Sequence, residues 1–275
     1  MIRILVPFDG SDPARAALAH ARVIVARTQA VVTLVYVLPR NELLAAIGAG
    51  SVSAEADATA VLTEASATLS SPAEIRLLHG EPAVAIAAEA ERIAADLVVL
   101  GSRGRSPLLG LLLGSTARKL LHEATRPLMV VHEPVAAITS IVAGVEPGPD
   151  SVRVAQAAAA LATATGASVT LVNVVDADRA LVAQPEQFGI PAQVWRDALA
   201  AHAERAFAPL RAIVPGAVEV LRYGHAGSEL RDAVADHGAQ VVVVARKGSS
   251  GLDTEAWFSV AFTLAVRGPF ATLVV

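Results

Sequence analysis

The sequence predicts two consecutive α/β domains, each built on a doubly wound and mainly parallel five-stranded sheet. Three observations support this prediction: an internal duplication, an alternation of short apolar runs with longer helical patterns, and strands that are apolar throughout. The chain has 275 residues, and because domains of about 100–200 residues are usual, two domains are expected. The predicted domains cover residues 1–135 and 138–275, with a break near residues 134–138.

The duplication is visible by direct alignment of the chain with itself. Residues 14–38 align without gaps on residues 151–175, at a constant offset of 137. Farther along, residues 97–100 align on residues 241–244 at an offset of 144, so the second copy has a short insertion between these blocks. A repeat of this length indicates two copies of one domain rather than one large domain.

Each copy alternates predicted strands and helices in the same order. In the first copy the predicted strands are 2–7, 31–37, 74–79, 97–101 and 127–131, and the predicted helices are 12–27, 53–69, 82–95 and 114–124. In the second copy the predicted strands are 139–145, 168–175, 217–223, 241–245 and 271–275, and the predicted helices are 150–164, 191–212, 227–237 and 257–266. Runs such as 97–100 are apolar at every position, which is typical of strands covered on both faces. Repeated strand–helix–strand units imply right-handed parallel crossovers.

Composition excludes several classes of function. The formal net charge is −4 and the chain contains no cysteine, so neither a nucleic-acid surface nor disulfide or thiolate chemistry is expected. No apolar run approaches the roughly 18 residues of a membrane helix, and no secretory signal is evident, so a cytoplasmic protein is expected. The seven histidines form no His-x-x-x-His pair and no recognised ligand set, and no protein-built metal site is expected.

The most informative segment is a glycine-rich loop that follows the fourth predicted strand. It has the pattern Gly-x2-Gly-x9-Gly-Ser, formed by Gly101, Gly104, Gly114 and Ser115. Ligands of open α/β sheets bind outside the carboxyl ends of the strands, and a helix N-terminus offers N–H groups to an anion. Glycine allows close backbone approach and positive φ. Taken singly, each residue also fits a turn or a helix cap, and neither the P-loop nor the dinucleotide-binding motif is present.

The loop spacing resembles the ATP-binding signature of universal stress proteins, and the resemblance extends over the whole chain taken as two domains. The segments that carry it in the first copy are 4–11, 34–37, 79–82, 96–101 and 126–131. On these motifs the chain is identified as a member of the tandem universal stress protein (UspA-like) family. The resemblance implies an adenine nucleotide α hydrolase-like fold, with the two domains packed as an intrachain pseudo-dimer. It also leaves open a homodimer between chains.

The resemblance also implies roles for individual residues. Asp9 is expected to contact the adenosine, the Val37 backbone to meet the adenine edge, and Ser115 to hold phosphate. Asp9 also has a structural explanation, because it precedes Pro13 in a cap region where Ser11 or Asp12 would do the capping. The implied cofactor is ATP with Mg²⁺ carried by its phosphates. The full set of predicted ATP-binding residues is Pro7, Asp9, Val37, Leu100, Gly101, Arg103, Gly104, Gly114, Ser115 and Thr116.

The second copy departs from the motif at several equivalent positions. Ala245 replaces the first glycine, and Phe258 replaces the third, directly before Ser259. Glu146 stands in place of Asp9, and Gly144 stands in place of Pro7. A phenylalanine at the helix entrance is expected to fill the phosphate space, so the second site is interpreted as degenerate and kept for scaffolding. Gly248 and Gly251 leave room for a rearranged loop.

The implied function is ATP binding by a non-enzymatic regulatory protein of the stress response, with protein partners unknown. One alternative is a slow ATP hydrolase or an adenylate-chemistry enzyme, although the loop has no P-loop lysine and no second carboxylate for a metal. Another alternative is a ligand-free scaffold that binds partners. Because the loop chemistry is specific to phosphates more than to bases, ATP and other adenine nucleotides are not distinguished.

Overall fold

The computed structural model describes residues 2–38, 51–71, 73–103, 113–176, 182, 184–246 and 254–275, excepting the side chains of residues 51–53, 254–259 and 267. The chain forms two compact units. Unit 1 contains residues 1–137 and 265–273, and unit 2 contains residues 138–264 and 274–275. Residues 265–273, which lie in the predicted range 138–275 of the second domain, belong to unit 1.

The first five strands of unit 1 form a parallel sheet, and helices connect them. Its elements are β1 (Arg3–Pro7), α1 (Asp12–Val25), β2 (Val31–Leu38), α2 (Ser51–Ala67), β3 (Ala73–His79), α3 (Pro82–Arg92), β4 (Leu97–Gly101), α4 (Ser115–Glu123) and β5 (Leu128–Val131). The strand order is β3-β2-β1-β4-β5, and the neighbouring pairs are parallel. The chain therefore reverses its direction of winding at β1, whose two neighbours are β2 and β4.

The second half of the chain repeats this order. Its elements are β6 (Ser140–Val145), α5 (Asp150–Thr165), β7 (Ser168–Val175), a 3-10 turn (Pro185–Phe188), α6 (Ala192–Phe207), β8 (Val218–Tyr223), α7 (Ala226–Asp236), β9 (Val241–Val244), α8 (Thr254–Arg267) and β10 (Ala271–Val274). The order in unit 2 is β9-β6-β7-β8, and residues 271–273 of β10 belong to unit 1, where they lie beside β5. In unit 2, the Val275 N–H donates to Val244 O over 3.1 Å.

The strand registers of the two copies are identical, which confirms the duplication at the level of hydrogen bonding. Pro7 is opposite Val35 in the first copy, and Gly144 is opposite Val172 in the second. Both members of the second pair are offset by the same 137 residues that the sequence alignment gives. Because a slip of one residue would reverse every side chain, this agreement fixes which residues of the two copies are equivalent.

The predicted elements are all present, with differences at their ends. The largest difference concerns the helix predicted at 191–212, which ends at Phe207 and continues as a short 3-10 turn over Ala208–Leu210. Pro209 explains the early end, because proline within a helix removes a hydrogen bond and clashes with the preceding turn.

The core of each unit is the central part of its sheet. Every residue of β4 and β5 in unit 1 and of β9 in unit 2 is buried. The strands β3 and β8, at the other end of each strand order, show partly exposed patterns. Among the described residues, no helix combines the length and apolar character needed to span a bilayer.

One residue outside glycine adopts a positive φ among those described. Ala94 has φ 48°, directly after α3, and its equivalent in the second copy is Gly238 with φ 55°. Both are followed by the same C-terminal hydrogen bond, in which the Ala95 N–H donates to Ala90 O and the Ala239 N–H donates to Val234 O. A left-handed conformation disfavours a Cβ, so Ala94 carries strain that Gly238 avoids.

We therefore expect Ala94→Gly to raise the free energy of unfolding by about 0.5–1 kcal/mol, because relief of strain exceeds the added entropy of the unfolded chain. The matched change Gly238→Ala is expected to lower it by about 1 kcal/mol through strain alone, since a Cβ at Gly238 would meet nothing within 4 Å. Equilibrium unfolding in urea measures both changes. A loss of stability in Ala94→Gly would contradict the strain argument.

A buried histidine on α1 also affects stability. His20 is 1% exposed, and its Nδ1 lies 3.0 Å from the Ala16 carbonyl oxygen. Nδ1 therefore carries the proton, and Nε2 is buried with no hydrogen-bond partner within the described part of the chain. Burial lowers the pKa of His20 below its ordinary value, and the Ala16 hydrogen bond opposes this only in part.

The proton that charges the ring is a second one, at Nε2. Because the folded state binds this second proton less tightly than the unfolded chain does, His20 makes the protein less stable as the pH falls below about 6.5. We expect the free energy of unfolding to decrease between about pH 7 and about pH 5, by up to about 1.4 kcal/mol per pH unit from this residue. His20→Leu should reduce the slope of the free energy of unfolding against pH. The remaining slope then comes from His132 and His202, whose pKa values are also lowered by burial. An unchanged slope in His20→Leu would refute the assignment.

Candidate functional site

The candidate site lies where the strand order of unit 1 reverses. The chain winds outward from β1 in both directions, and the carboxyl ends of β1 and β4 lie next to each other. In open α/β sheets the crevice at this position is where ligands bind. Pro7 ends β1, Leu100 and Gly101 end β4, and Asp9 follows β1 by two residues. The fold thus brings together residues from distant parts of the sequence that were predicted to share one site.

Gly101 is required by the close approach of α1 to the end of β4. A Cβ at this position would lie 2.5 Å from the carbonyl carbon and oxygen of Pro13 and 2.8 Å from the Ala14 nitrogen. These contacts are with backbone atoms, which cannot move aside as a flexible side chain can. Gly101 does not adopt the positive φ that glycine allows. The glycine is needed for space, and it seats the start of α1 directly against β4.

The turn between β1 and α1 is held by Asp9 and Ser11. The Asp9 Oδ1 accepts hydrogen bonds from the Ser11 N–H over 3.0 Å and from the Ser11 hydroxyl over 2.6 Å. Ser11 is the N-cap of α1, and its hydroxyl oxygen accepts from the Ala14 N–H at 3.4 Å. Of the two capping candidates, Ser11 has this role. Asp9 thus shapes the turn, and its half-buried carboxylate is fixed at the edge of the crevice.

The Val37 backbone faces the space beyond the end of β1. The last hydrogen bond from the β1 side runs from the Phe8 N–H to the Val35 carbonyl, over 2.8 Å. Backbone groups alternate in direction along a parallel strand, so those of Val37 point to the same side as those of Val35. On the other side, Leu38 O accepts from the Gly80 N–H over 3.0 Å. The Val37 amide groups therefore border the crevice as a hydrogen-bonding edge.

The glycine loop is closed at its base by hydrogen bonds from its two ends. The Ser102 N–H donates to Val131 O, and the Gly114 N–H donates to Ser102 O, each over 2.7 Å. Ser102, which sequence reasoning did not select, is 1% exposed and holds the loop ends together through its backbone. The side chain of Arg103 is exposed at the loop entrance. Gly104 lies outside the described residues.

The start of α4 differs from the starts of α1 and α3. The N-cap of α4 is Gly114, which has no side chain to accept from the first N–H groups. Ser115 is the first helical residue, so its predicted alternative role as N-cap is wrong. By contrast, Ser11 caps α1 and Glu81 caps α3 with side-chain oxygens. The first turn of α4, which includes Ser115 and Thr116, thus receives no cap from a side chain of its N-cap residue, and a helix start without such a cap favours an anion.

The charges near α4 are arranged around this start. Glu81, which caps α3, also lies 3.2 Å from the Lys119 Nζ. Burial alone would raise the pKa of Glu81, but hydrogen bonds from the Val84 and Ala83 N–H groups and from Lys119 lower it below its ordinary value. Beyond β5, burial lowers the pKa of His132, and the charge of Arg103 lowers it further. Arg103 therefore lies close enough to influence the end of β5.

Comparison with known proteins places this arrangement in one family. The sequence profile of the universal stress protein family matches the chain twice, at residues 1–132 and 138–275. The chain belongs to the universal stress protein family. Membership supports a role in the stress response, and both predicted copies are therefore domains of this family.

Relatives and solved structures agree with this membership. A universal stress protein of Methanocaldococcus jannaschii is 31% identical over 140 residues, which cover 48% of this chain and 82% of that protein. One from Thermus aquaticus is 36% identical over 135 residues, covering 46% of this chain and 96% of that protein. The crystal structure of a universal stress protein from Archaeoglobus fulgidus superposes with a TM-score of 0.72 at 17% identity, covering 99% of this chain and 97% of that chain. This last likeness shows the tandem fold.

The second universal stress domain differs from the first at the start of its last helix. Its helix α8 begins at Thr254, so Ser259, the equivalent of Ser115, lies in the second turn. The expectation that Phe258 stands at a helix entrance is therefore wrong, because no glycine interrupts the helix there. The Phe258 side chain and residues 247–253, with Gly248 and Gly251, lie outside the described parts.

Gly101, which ends β4, and Gly144, one residue before the end of β6, give a matched test of this close approach. We expect Gly101→Ala to lower the free energy of unfolding by about 2–3 kcal/mol, because the new methyl group meets the Pro13 backbone. Gly144→Ala should cost less than about 1 kcal/mol, since its Cβ would meet the movable Leu230 side chain at 3.0 Å. Denaturant unfolding measures both. Equal losses in the two variants would show that the α1–β4 approach is not the constraint.

Proposed function

We propose that unit 1 binds ATP together with Mg²⁺, and that the bound nucleotide regulates the protein rather than undergoing a dedicated reaction. The observation that carries this proposal is the convergence of the Val37 edge, Asp9 and the uncapped start of α4 at the reversal point of one sheet. The crevice offers a hydrogen-bonding edge for a base on one side and helix-start N–H groups for phosphates on the other.

Each predicted residue then has a part in one binding mode. The Val37 amide groups pair with the edge of the adenine, Asp9 accepts from the nucleoside, and Pro7 and Leu100 form the apolar wall. The start of α4 holds the phosphates through the backbone and hydroxyl groups of Ser115 and Thr116. Gly101, Arg103, Gly104 and Gly114 form the loop along which the phosphates lie. Mg²⁺ would bind mainly the phosphates and water, because it retains several waters when nucleotides carry it.

The proposed role is regulatory because the described site lacks the groups that phosphoryl transfer requires. A transferred phosphoryl group needs a positioned base or water and cations on its oxygens. Among the described residues predicted to bind ATP, Asp9 is the carboxylate, and its Oδ1 already holds the β1–α1 turn. ATP binding is therefore expected to order the loop and the start of α4, where a partner protein can recognise the change.

The test is a calorimetric titration of ATP with Mg²⁺ into the nucleotide-free protein. We expect one site per chain, weakened at least about tenfold by Gly114→Phe, whose side chain occupies the phosphate approach. Gly114 has φ −69° and ψ 156°, a conformation open to any residue, so Gly114→Ala is a matched control with near-normal binding. Two sites of equal affinity would contradict the asymmetric assignment.

Two further measurements on the same samples separate the alternatives. Release of inorganic phosphate from ATP, abolished by the Gly114→Phe change, would favour the slow hydrolase. Absence of any heat with ATP, AMP or ADP in a folded sample would favour the ligand-free scaffold. Chelation of Mg²⁺ should weaken ATP binding without affecting the melting temperature of the nucleotide-free protein.

A further inference from the structure

A cavity of unit 1 lies between α3 and α4, away from the candidate nucleotide site. It measures about 220 Å³, and on the side of the sheet it is lined by Val98 of β4 and Leu128 of β5. These residues are near the amino ends of their strands, whereas the candidate nucleotide site lies at the carboxyl ends. The α3–α4 cavity is therefore a separate feature of the fold.

The helices give this cavity apolar walls. Ile86 and Ala90 of α3 and Leu120 of α4 are buried, and they line the cavity together with Ala124, which follows α4. Water between such walls would find few hydrogen-bonding partners, and an apolar cavity of about 150 Å³ can stay dry and take up benzene. The α3–α4 cavity is larger than that, so it has room for one ring with a short substituent.

Polar and charged side chains complete the lining. The Arg126 Nη2 donates to the Glu91 Oε2 over 2.7 Å, and the Thr125 hydroxyl also donates to Glu91. All three residues line the cavity, as does the exposed Glu123. Among these residues two carboxylates stand beside a guanidinium that is already paired, so an anionic ligand would be repelled. An apolar interior disfavours any buried charge, and an uncharged ligand avoids both costs.

The offset of 144 relates the last helix and the last strand of the two copies, so their residues can be compared in pairs. In unit 1 the Ser102 N–H donates to Val131 O over 2.7 Å. The Arg246 N–H donates to Val275 O over the same 2.7 Å, 144 residues later in the chain. The helices α4 and α8 also end 144 residues apart. Equivalent positions are therefore fixed in the region that contributes Ala124 and Arg126 to the cavity.

In the second copy a buried aromatic ring takes the place of Arg126. The equivalent residue is Phe270, which is 6% exposed. Its ring lies against Gly268, where a Cβ would meet the Phe270 Cζ at 2.3 Å. Gly268 is the equivalent of Ala124, which lines the α3–α4 cavity. The second copy thus places a benzyl ring at the equivalent of a cavity wall, whereas the first copy has no ring of its own there.

We propose that the α3–α4 cavity binds a small uncharged molecule with one apolar ring, which takes the part of the Phe270 side chain in the second copy. Transfer of the ring into the cavity removes apolar surface of both partners from water, and this supplies the driving force. The Arg126–Glu91 pair stays intact when the ligand is uncharged. Binding uses no residue of the nucleotide crevice, so it does not depend on the function proposed for unit 1.

The experiment titrates toluene into the full chain and measures the heat of binding and the melting temperature. We expect one toluene per chain, and a rise in melting temperature of about 3–6 °C at a toluene concentration of about ten times its Kd. Benzoate has the same ring with a carboxylate and should bind at least about tenfold more weakly. The double change Ala124→Gly with Arg126→Phe introduces the residues of the second copy. It should abolish toluene binding, because the new ring fills the cavity.

A smaller change gives a second filling variant with a matched control. Ala90→Val introduces the residue that the second copy has at this position, Val234, and should weaken toluene binding at least about threefold. The same change at Ala85, which is on α3 but not among the lining residues, should leave toluene binding unaltered. Circular dichroism confirms that each variant is folded. Absence of saturable toluene binding in the unaltered chain overturns the proposal, and so does toluene binding that both filling variants leave unchanged or benzoate binding as tight as that of toluene.

Discussion

The contact between Gly101 and the Pro13 backbone determines the geometry on which the rest of unit 1 depends. It lets the first turn of α1 rest against the end of β4 without an intervening side chain. The β1–α1 turn must then be tight, and Asp9 and Ser11 hold it by two hydrogen bonds. Because β1 is central and β4 is its neighbour, this one approach sets the width of the crevice at the point where a ligand would enter.

The second universal stress domain lacks this constraint. Its sheet has the same register, and Gly224 repeats both the φ of 126° and the N–H bond to the preceding strand that Gly80 makes. The framework is therefore conserved in its backbone. At the position of Gly101, however, the second copy has Ala245. It thus carries a methyl group at the position where, in unit 1, two backbones meet.

The sequence was sufficient to predict the elements and their arrangement, because these depend on patterns that persist over many residues. Apolar strands such as β9 and the repeat itself are recognisable without any tertiary contact. The reason for Gly101 was not predictable, since the atoms that exclude its Cβ belong to Pro13, far away along the chain. The start of α8 was also placed wrongly, because a substituted glycine was taken to mark the same helix entrance. Ser102 carries no sequence signal, since its function is performed by its backbone.

The strand framework and the helix starts of a duplicated domain differ in how easily they change. The positions of the strand ends depend on the whole sheet, so altering them would disturb the register of several strands. The start of one helix depends on a few residues, and the substitution of Phe258 for Gly114 accompanies an earlier start of α8 than of α4. Divergence after duplication is therefore expected to proceed through the helix starts while the strand framework stays intact, and the identical strand registers of the two copies agree with this.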